Sequence, residues 1–269
     1  MHIVFFVCAL TSIAAVVLIC LFLFANGIPD MKEIGLLNFL TGAKWKPGND
    51  IYGILPMILG SIYITAGAVV IGVPIGLLTA IFMAFYCPKK LYGLLKPCTE
   101  LLAGIPSIVY GLFGMLFFVT QLHWGYSLIS GAFTLAIMVL PVIMRTTEEA
   151  LIAVPDSYRE GSFGLGAGKL RTVFTIVLPS AMPGILSGVI LATGRIVGET
   201  AALIYTASSM PQIPKSIFSS TRTLAVHMYL LSNEGLYINE TYGTAVVLLV
   251  LVLAINCLSG FIAGKLAKK

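Results

Sequence analysis

RTTEEALIAVPDSYREGSFGLGAGKLRTVFTIVLPS, residues 145–180, is a polar passage set between two apolar runs, Ser127–Met144 and Ala181–Ala207. A plain connection between two spans does not need 36 residues. The passage opens with Arg145-Thr146-Thr147-Glu148-Glu149, and Ala150–Val154 can continue as helix until Pro155 breaks it. Ser157-Tyr158-Arg159-Glu160 fits a capping box, with Ser157 as cap and Glu160 at the third helical position, so a short helix is predicted next. Gly164, Gly166 and Gly168 break that helix, because glycine tolerates the left-handed backbone of a tight turn. A second short helix, Lys169–Val177, is expected to end at Leu178-Pro179. The passage therefore reads as two helices around a glycine corner, offered to a soluble partner. Its internal spacing is Glu160-Gly161-Ser162, three residues, Gly166, nine residues, Ile176, one residue, then Leu178-Pro179.

Outward from this passage the chain is a series of uncharged runs of membrane length. Ile3–Ala25 makes a helix about 35 Å long and has no small-residue cleavage site after it, so it reads as an uncleaved anchor rather than a signal peptide. Ile51–Pro88 carries no charge over 38 residues, too long for one crossing and too short for two. A short re-entrant or surface segment near Tyr52–Leu59 is expected there, then a long helix to about Tyr86 kinked at Pro74. Leu101–Thr120, Ser127–Met144, Ala181–Ala207 and Gly243–Gly264 complete six predicted spans. Residues 1–50 form an anchor helix and an outer loop, and residues 51–269 the transmembrane domain, with 145–180 as its inner loop. The runs are continuously apolar rather than alternating, which excludes a membrane β-barrel. No internal repeat stands out.

Composition agrees. The chain has 269 residues, of which 58% are apolar and 10% charged; soluble domains have about 25% charged residues. That excludes a soluble globular protein, a disordered chain and a nucleic-acid binder. The net charge of +5 comes from 16 dispersed Lys and Arg. Ten of them flank one side of the spans: Lys89, Lys90 and Lys96; Arg145, Arg159, Lys169 and Arg171; and Lys265, Lys268 and Lys269. Lys32, Lys44, Lys46, Lys215 and Arg222 fall on the other. The positive-inside rule places the ten-residue side, the 145–180 loop and both termini in the cytoplasm. The five cysteines show neither metal-ligand nor redox spacing, and no His lies at ligand spacing from a Cys, so no metal site is expected.

Two further stretches carry unusual residues. Gly194-Arg195-Ile196-Val197-Gly198-Glu199-Thr200 places Arg195 and Glu199 four apart, on one face of the fifth span. A charge at the bilayer centre costs at least ~2.5–3.5 kcal/mol, so such residues face a partner or a water-filled path. Arg195 and Glu199 read either as a self-satisfied ion pair that packs helices or as the lining of an anion path, and both can hold. Arg before Glu is the poorer order on a helix, which favours a purpose beyond helix stability. In Leu101–Gly111, Pro106 removes a backbone hydrogen bond within the third span, while Gly104 and Gly111 read first as helix-packing positions beside Ser107. Glu100 reads as the solvated end of that span.

The spacing around Glu160 resembles the EAA loop of ABC-importer permeases at Glu160, Gly166, Ile176, Leu178 and Pro179. It departs at Gly161 and Ser162, where that family prefers alanine; both are small enough to keep close packing. Taken with AGIPSIVYGLFG (103–114) and GRIVGET (194–200), nearly the whole chain is similar to the phosphate-specific permeases, the PstA and PstC subunits. From Leu140 onward it looks like PstA; KWKPGNDIYGILPMILGS and VIGVPIGLLTAIFMA look more like PstC, which leaves open a PstC-type subunit or a natural fusion. The resemblance implies an all-α, six-span MetI-like permease in a bacterial cytoplasmic membrane. It implies a loop that docks on a cytoplasmic ATPase dimer (PstB-like) and a path shared with a second permease subunit (PstC-like) or a second copy of the chain. An extracytoplasmic phosphate-binding protein (PstS-like) would dock on Gly27–Asp50 and Ser208–Tyr242. ATP and Mg belong to the ATPase: this chain has no GxxxxGK[ST] loop and is expected to bind no cofactor of its own.

Other classes fit less well. A membrane enzyme could use Ser107 or Thr200 as nucleophile, but His2, His123 and His227 lie outside the spans and no HExxH occurs. A passive anion channel accounts for Arg195 but not for the long inner loop. An importer of sulfate or molybdate stays open, because a soluble binding protein can set oxyanion choice. Asn239-Glu240-Thr241 matches a glycosylation sequon by chance in what looks like a bacterial protein.

Overall fold

The uncharged runs become long helices in the computed structural model, which describes residues 2–266. Lys268 and Lys269 lie outside the described residues, as does the side chain of Lys265. The chain begins with α1 (His2–Ile34), which continues through Pro29 beyond the expected run, and a short α2 (Leu36–Thr41). A minimal antiparallel hairpin follows, β1 (Trp45–Lys46) paired with β2 (Ile51–Tyr52) in the register Trp45 to Tyr52. Next is α3 (Leu55–Ile81), whose Pro56 sits in the first turn, where a missing N–H is harmless. The segment expected to be re-entrant, Tyr52–Leu59, is thus the last residue of β2, a two-residue link and the first five residues of α3. α3 runs through Pro74 to Ile81 and leads into a π turn, Phe82–Tyr86.

The expected third span is two helices, α4 (Lys89–Ala103) and α5 (Ser107–Gly114), the latter extended by a π turn, Met115–Gln121. They meet at 98°. Pro106 does not interrupt a helix as expected; it is the N-cap of α5 with ψ 143°, where its fixed φ starts a helix rather than breaking one. α6 (Leu128–Ile152) is capped by Ser127, whose side chain accepts from the Ser130 N–H at 3.3 Å. α7 (Asp156–Gly164) and α8 (Lys169–Thr172) form the polar hairpin. A π turn, Val173–Val177, joins α8 to α9 (Leu178–Val197), and α10 (Ala201–Ile204), α11 (Leu224–Glu234) and α12 (Ile238–Leu266) complete the chain. Among the described residues, five helical stretches are long and apolar enough to cross a membrane: Val4–Ile34, Leu55–Tyr86, Leu128–Ile152, Lys169–Val197 and Ile238–Phe261. The bent α4–α5 pair is the sixth when counted as one broken span.

α3, α6 and α9 form the centre. Their shared core holds Ile64, Leu135, Met138, Val139, Ile143, Ala192 and Ile196. Between helices in lipid the hydrophobic effect is weak, so close backbone approach must supply the contact. Gly188 of α9 provides it: a Cβ there would fall 2.0 Å from Thr146 Oγ1 of α6. A second core, Ile81, Leu151, Val154, Val173, Val177, Ala181 and Ile185, fixes the polar hairpin to the ends of α3 and α6. A third, at the opposite end, joins Met31 and Phe39 to Ile54, Met57, Leu224 and Val246. α1 packs along α12.

Candidate functional site

The polar hairpin is built from a short helix, a glycine corner and a helix that enters the bundle. Pro155, with φ −56° and ψ 139°, is the N-cap of α7, so the helix starts at Asp156 and Ser157 lies inside its first turn. The capping box expected at Ser157 and Glu160 does not form. Asp156 in the first turn suits the helix dipole and pairs with Arg159. The corner closes through Gly166 N–H to Phe163 O at 2.9 Å and Ala167 N–H to Ser162 O at 3.1 Å. Gly166 has φ +82° with nothing within 4 Å of where a Cβ would lie, so glycine is required by conformation rather than by space. Ser162 is buried, and its hydroxyl meets Thr172 Oγ1 at 2.9 Å, clasping α7 to α8.

Two cations anchor the hairpin to the end of α3. Lys169 donates to the Phe85 carbonyl and stands 4.8 Å from the Tyr86 ring, and the Arg159 guanidinium lies 5.7 Å from the Phe85 ring. The outer side stays bare. Leu165 is 92% exposed, and Tyr158, Phe163, Leu170, Phe174 and Ile176 are also exposed, as are Glu160 and Gly161. A shallow groove lined by Tyr158, Gly161, Leu165, Gly166, Arg171 and Ile176 runs beneath the corner. Exposed apolar knobs around a groove mark a protein contact surface. The second helix does not end at Leu178-Pro179 as expected. The π turn Val173–Val177 carries the chain past Pro179 into α9 as one helical stretch, Lys169–Val197, with Leu178 half-buried against the second core and Pro179 exposed.

Arg195 lies in the last turn of α9, exposed along a face shared with Leu191 and Gly198. It has no hydrogen-bond or ion-pair partner among the described residues. The expected pair with Glu199 is absent because α9 stops at Gly198, so the four-residue spacing no longer stacks the two side chains. Glu199 instead accepts the Ala202 N–H at 3.1 Å and caps α10, with half-buried Thr200 as the N-cap residue. Arg195 acts electrostatically on the Tyr110 hydroxyl, which reaches back across the α4–α5 break to the Leu102 carbonyl at 2.8 Å. Ser107, half-buried, is the first residue of α5. Gly111 is a packing position, since a Cβ there would meet Ala202 Cα at 2.7 Å. Gly104 is not: its nearest neighbour is the Leu101 carbonyl at 3.5 Å, and it is exposed beside the break.

At the opposite end a buried cluster escapes sequence reading. His227 is 0% exposed. Its Nδ1 lies 2.9 Å from Arg222 Nη1; a guanidinium only donates, so Nδ1 accepts and the ring proton sits on Nε2. The Trp45 ring stands edge-on at 4.3 Å. Burial and then the Arg222 charge lower the His227 pKa to about 3, which keeps the ring neutral. Arg222 also donates to the Ser209 carbonyl, and Gly60 lets the chain at Thr221–Arg222 cross α3 closely. The cluster ties the β1 strand, the loop before α11 and α11 together. Its members are scattered over 182 positions from Trp45 to His227, so no local pattern signals them.

Among the described residues no group of three or more His, Cys, Asp or Glu could hold a metal ion. Residues 72–269 match the family described as binding-protein-dependent transport system inner membrane component. The chain is 35% identical to the probable ABC transporter permease protein YqgI of Bacillus subtilis, over 96% of this chain and 92% of that one. It is 30% identical to the phosphate transport system permease protein PstC of Mesorhizobium japonicum (86% and 77% covered). It is 33% identical to the phosphate transport system permease protein PstA 1 of Mycobacterium tuberculosis (83% and 77% covered). In fold it resembles a chain of the MetNI methionine ABC transporter in an inward-facing conformation, with TM-score 0.69 and 20% identity over 83% of this chain and 99% of that one. A chain of a bacterial ABC transporter involved in the import of the acidic polysaccharide alginate gives TM-score 0.69 at 12% identity, over 97% of this chain and 96% of that one.

Proposed function

The chain belongs to the family of binding-protein-dependent transport system inner membrane components and is an ABC-transporter permease; from that premise we propose that it is a membrane subunit of an ATP-driven phosphate importer. The observation that carries the coupling role is the α7–Gly166–α8 hairpin. It is anchored rigidly to α3 and α9 on one side and presents bare Tyr158, Leu165 and Ile176 on the other. A partner that grips this surface moves α9 directly, because α8 and α9 are one helical stretch. Phosphate as cargo is supported by relatives named for phosphate transport over most of the chain. Relatives of the PstA and PstC kinds match at 33% and 30% identity, so the PstA-like reading rests on the sequence from Leu140 onward and not on these identities.

In this reading the hairpin, both termini and the Lys89–Lys96 region face the cytoplasm. A cytoplasmic ATPase dimer, which holds ATP and Mg²⁺, closes on binding nucleotide and draws on Glu160, Gly161, Ser162 and Gly166. This chain binds neither and catalyses no reaction. The β1–β2 hairpin and the Ser208–Arg222 loop face outward, toward a phosphate-binding protein. A second permease subunit, PstC-like or another copy of the chain, covers the exposed face of α9. The path runs between the two, and Arg195, with no counter-ion among the described residues, meets the passing anion there; Glu199 and Thr200 hold the corner beyond it. The ATPase drives transport only by binding the two permease conformations with different affinity.

The test is labelled-phosphate uptake into vesicles holding this chain, its ATPase and its binding protein, with and without a second permease. Uptake that requires ATP and the second permease supports a heterodimer; uptake without it supports a homodimer. Uptake of sulfate or molybdate alone removes the substrate while keeping the permease.

A further inference from the structure

The end of α6 that leads into the hairpin carries a polar cluster with no part in the reading above. Glu148 is 6% exposed, and its Oε1 accepts a hydrogen bond from the Tyr92 hydroxyl at 2.6 Å. Lys96 Nζ donates to the same hydroxyl at 2.9 Å. A 2.6 Å O–H to O⁻ contact lies in the short, charge-assisted range. Of the neighbouring charges, Arg145 Nε pairs with Glu149 Oε1 at 2.9 Å, while Glu100 lines the same cleft and acts electrostatically on both Lys96 and Arg145. The hydrogen bond joins two elements 56 residues apart, α4 and α6.

Beyond the triad, α4 is held at its far end, where the Tyr110 hydroxyl of α5 donates to the Leu102 carbonyl at 2.8 Å. No residue of it is buried, and Leu91, Leu94, Leu101 and Leu102 stand exposed. Its contacts run along α6, and between the two lies a cleft lined by Lys96, Thr99, Glu100, Pro141, Arg145 and Ile152. At its far end α4 meets α5 at 98° across Gly104-Ile105-Pro106, a joint with one proline-fixed and one glycine position. α4, with Pro97 inside it, is therefore an arm whose pivot is fixed by the Tyr110–Leu102 bond and by Ile105 on the core, while its length is held by a polar triad rather than by core burial. Lifting it uncovers Glu148 to water, so the carboxylate is not left buried without a partner, which is the expensive outcome for a broken ion contact.

We propose that Lys96, Tyr92 and Glu148 form a releasable latch: closed, it holds α4 against the hairpin-bearing end of α6, and it opens when that end is displaced, letting α4 swing about Gly104–Pro106. Tyr92 and Glu148 are positioning residues. The displacing force rests on the coupling role proposed for the hairpin; the latch itself does not. Loss of a hydrogen bond to a charged group shifts such an equilibrium by about 10- to 150-fold.

The experiment places spin labels at Leu94→Cys on α4 and Ala153→Cys at the end of α6, in a chain whose five native cysteines are replaced by alanine. Label distances are measured in the assembled transporter, nucleotide-free and with a non-hydrolysable ATP analogue. The latch predicts a short distance in one state and a longer one in the other. Tyr92→Phe, which keeps the ring and removes only the hydroxyl, populates the longer distance in both states and raises ATP consumed per phosphate imported. Tyr92→Phe combined with Glu148→Gln is expected to be no worse than either alone. One unchanging distance in both states, or a Tyr92→Phe distribution identical to the parent, overturns the latch. If the ATPase fails to co-purify with the parent chain, the coupling role falls instead. The isolated subunit then decides the latch by whether Tyr92→Phe lengthens the distance.

Discussion

Replacing Gly166 separates conformation from contact at the hairpin corner. Its φ of +82° lies where an L-residue is strained, and open space surrounds the position a Cβ would take. The penalty is therefore purely conformational, about 1–2 kcal/mol for alanine, or a 5- to 30-fold drop in the ratio of closed to open hairpins. Asparagine tolerates the left-handed region better than alanine although it is larger, and valine is worst because of its β-branch. ATPase co-purification and phosphate uptake, each normalised to inserted subunit, should thus fall in the order Gly, Asn, Ala, Val. Insertion should stay level, because none of the three cores includes residue 166. A ranking by volume, with asparagine worse than alanine, would mean that the partner occupies the space over Gly166. Unchanged coupling in the alanine and valine variants would refute the reasoning altogether.

Other outcomes follow from the same geometry. Arg195→Gln removes an unpaired exposed cation, and uptake should drop by about tenfold or more, from a charge-assisted contact worth ~1.5–3 kcal/mol, while membrane level and ATPase docking hold; an unchanged uptake rate would leave Arg195 with a packing role only. Gly111→Ala puts a Cβ 2.7 Å from Ala202 Cα and should lower thermal stability by about 1–3 kcal/mol, whereas Gly104→Ala, with 3.5 Å of room, should be silent; equal melting temperatures for the two would contradict the packing. His227 has a folded pKa of about 3, below its ordinary value, so on acidification the unfolded chain takes up a proton that the folded chain refuses. Stability is full above about pH 6.5 and should fall by up to ~1.4 kcal/mol per pH unit from there toward pH 3. Melting curves of the purified subunit should show this slope flattened in His227→Asn, and identical slopes would remove His227 as the cause.

The hairpin was legible in the sequence because its determinants are local: a proline before the first helix, a glycine at a left-handed corner, and small residues at 161 and 162. Local reading failed where a neighbour decides. Pro155 took the N-cap from Ser157, so the Ser157–Glu160 spacing has no helix end to cap. Gly198 ended α9 before Glu199 could return to Arg195, and the carboxylate found the Ala202 N–H of α10 instead. Leu101–Thr120 reads as one apolar run, yet hydropathy is blind to the 98° corner that Gly104-Ile105-Pro106 permits. The Ser162–Thr172 clasp, the cations on Phe85 and Tyr86, and the His227 cluster involve pairs whose spacing has no helical or strand period. Only the folded chain brings them together.

The π turns at Phe82–Tyr86 and Val173–Val177 sit on the two helical stretches that flank the hairpin. A π turn holds one residue more than the α-helix it interrupts, but it closes its hydrogen bonds over five residues instead of four and so turns less per residue; the helix leaves it in nearly the phase in which it entered. The turn at 173–177 therefore works like a pleat in a seam, taking up a spare residue while the hairpin and the Arg195 face keep their alignment. Deleting one residue there would restore an ordinary helix, preserve every apolar span and leave the two ends aligned, so the join between hairpin and span has one residue of slack that the rest of α9 lacks.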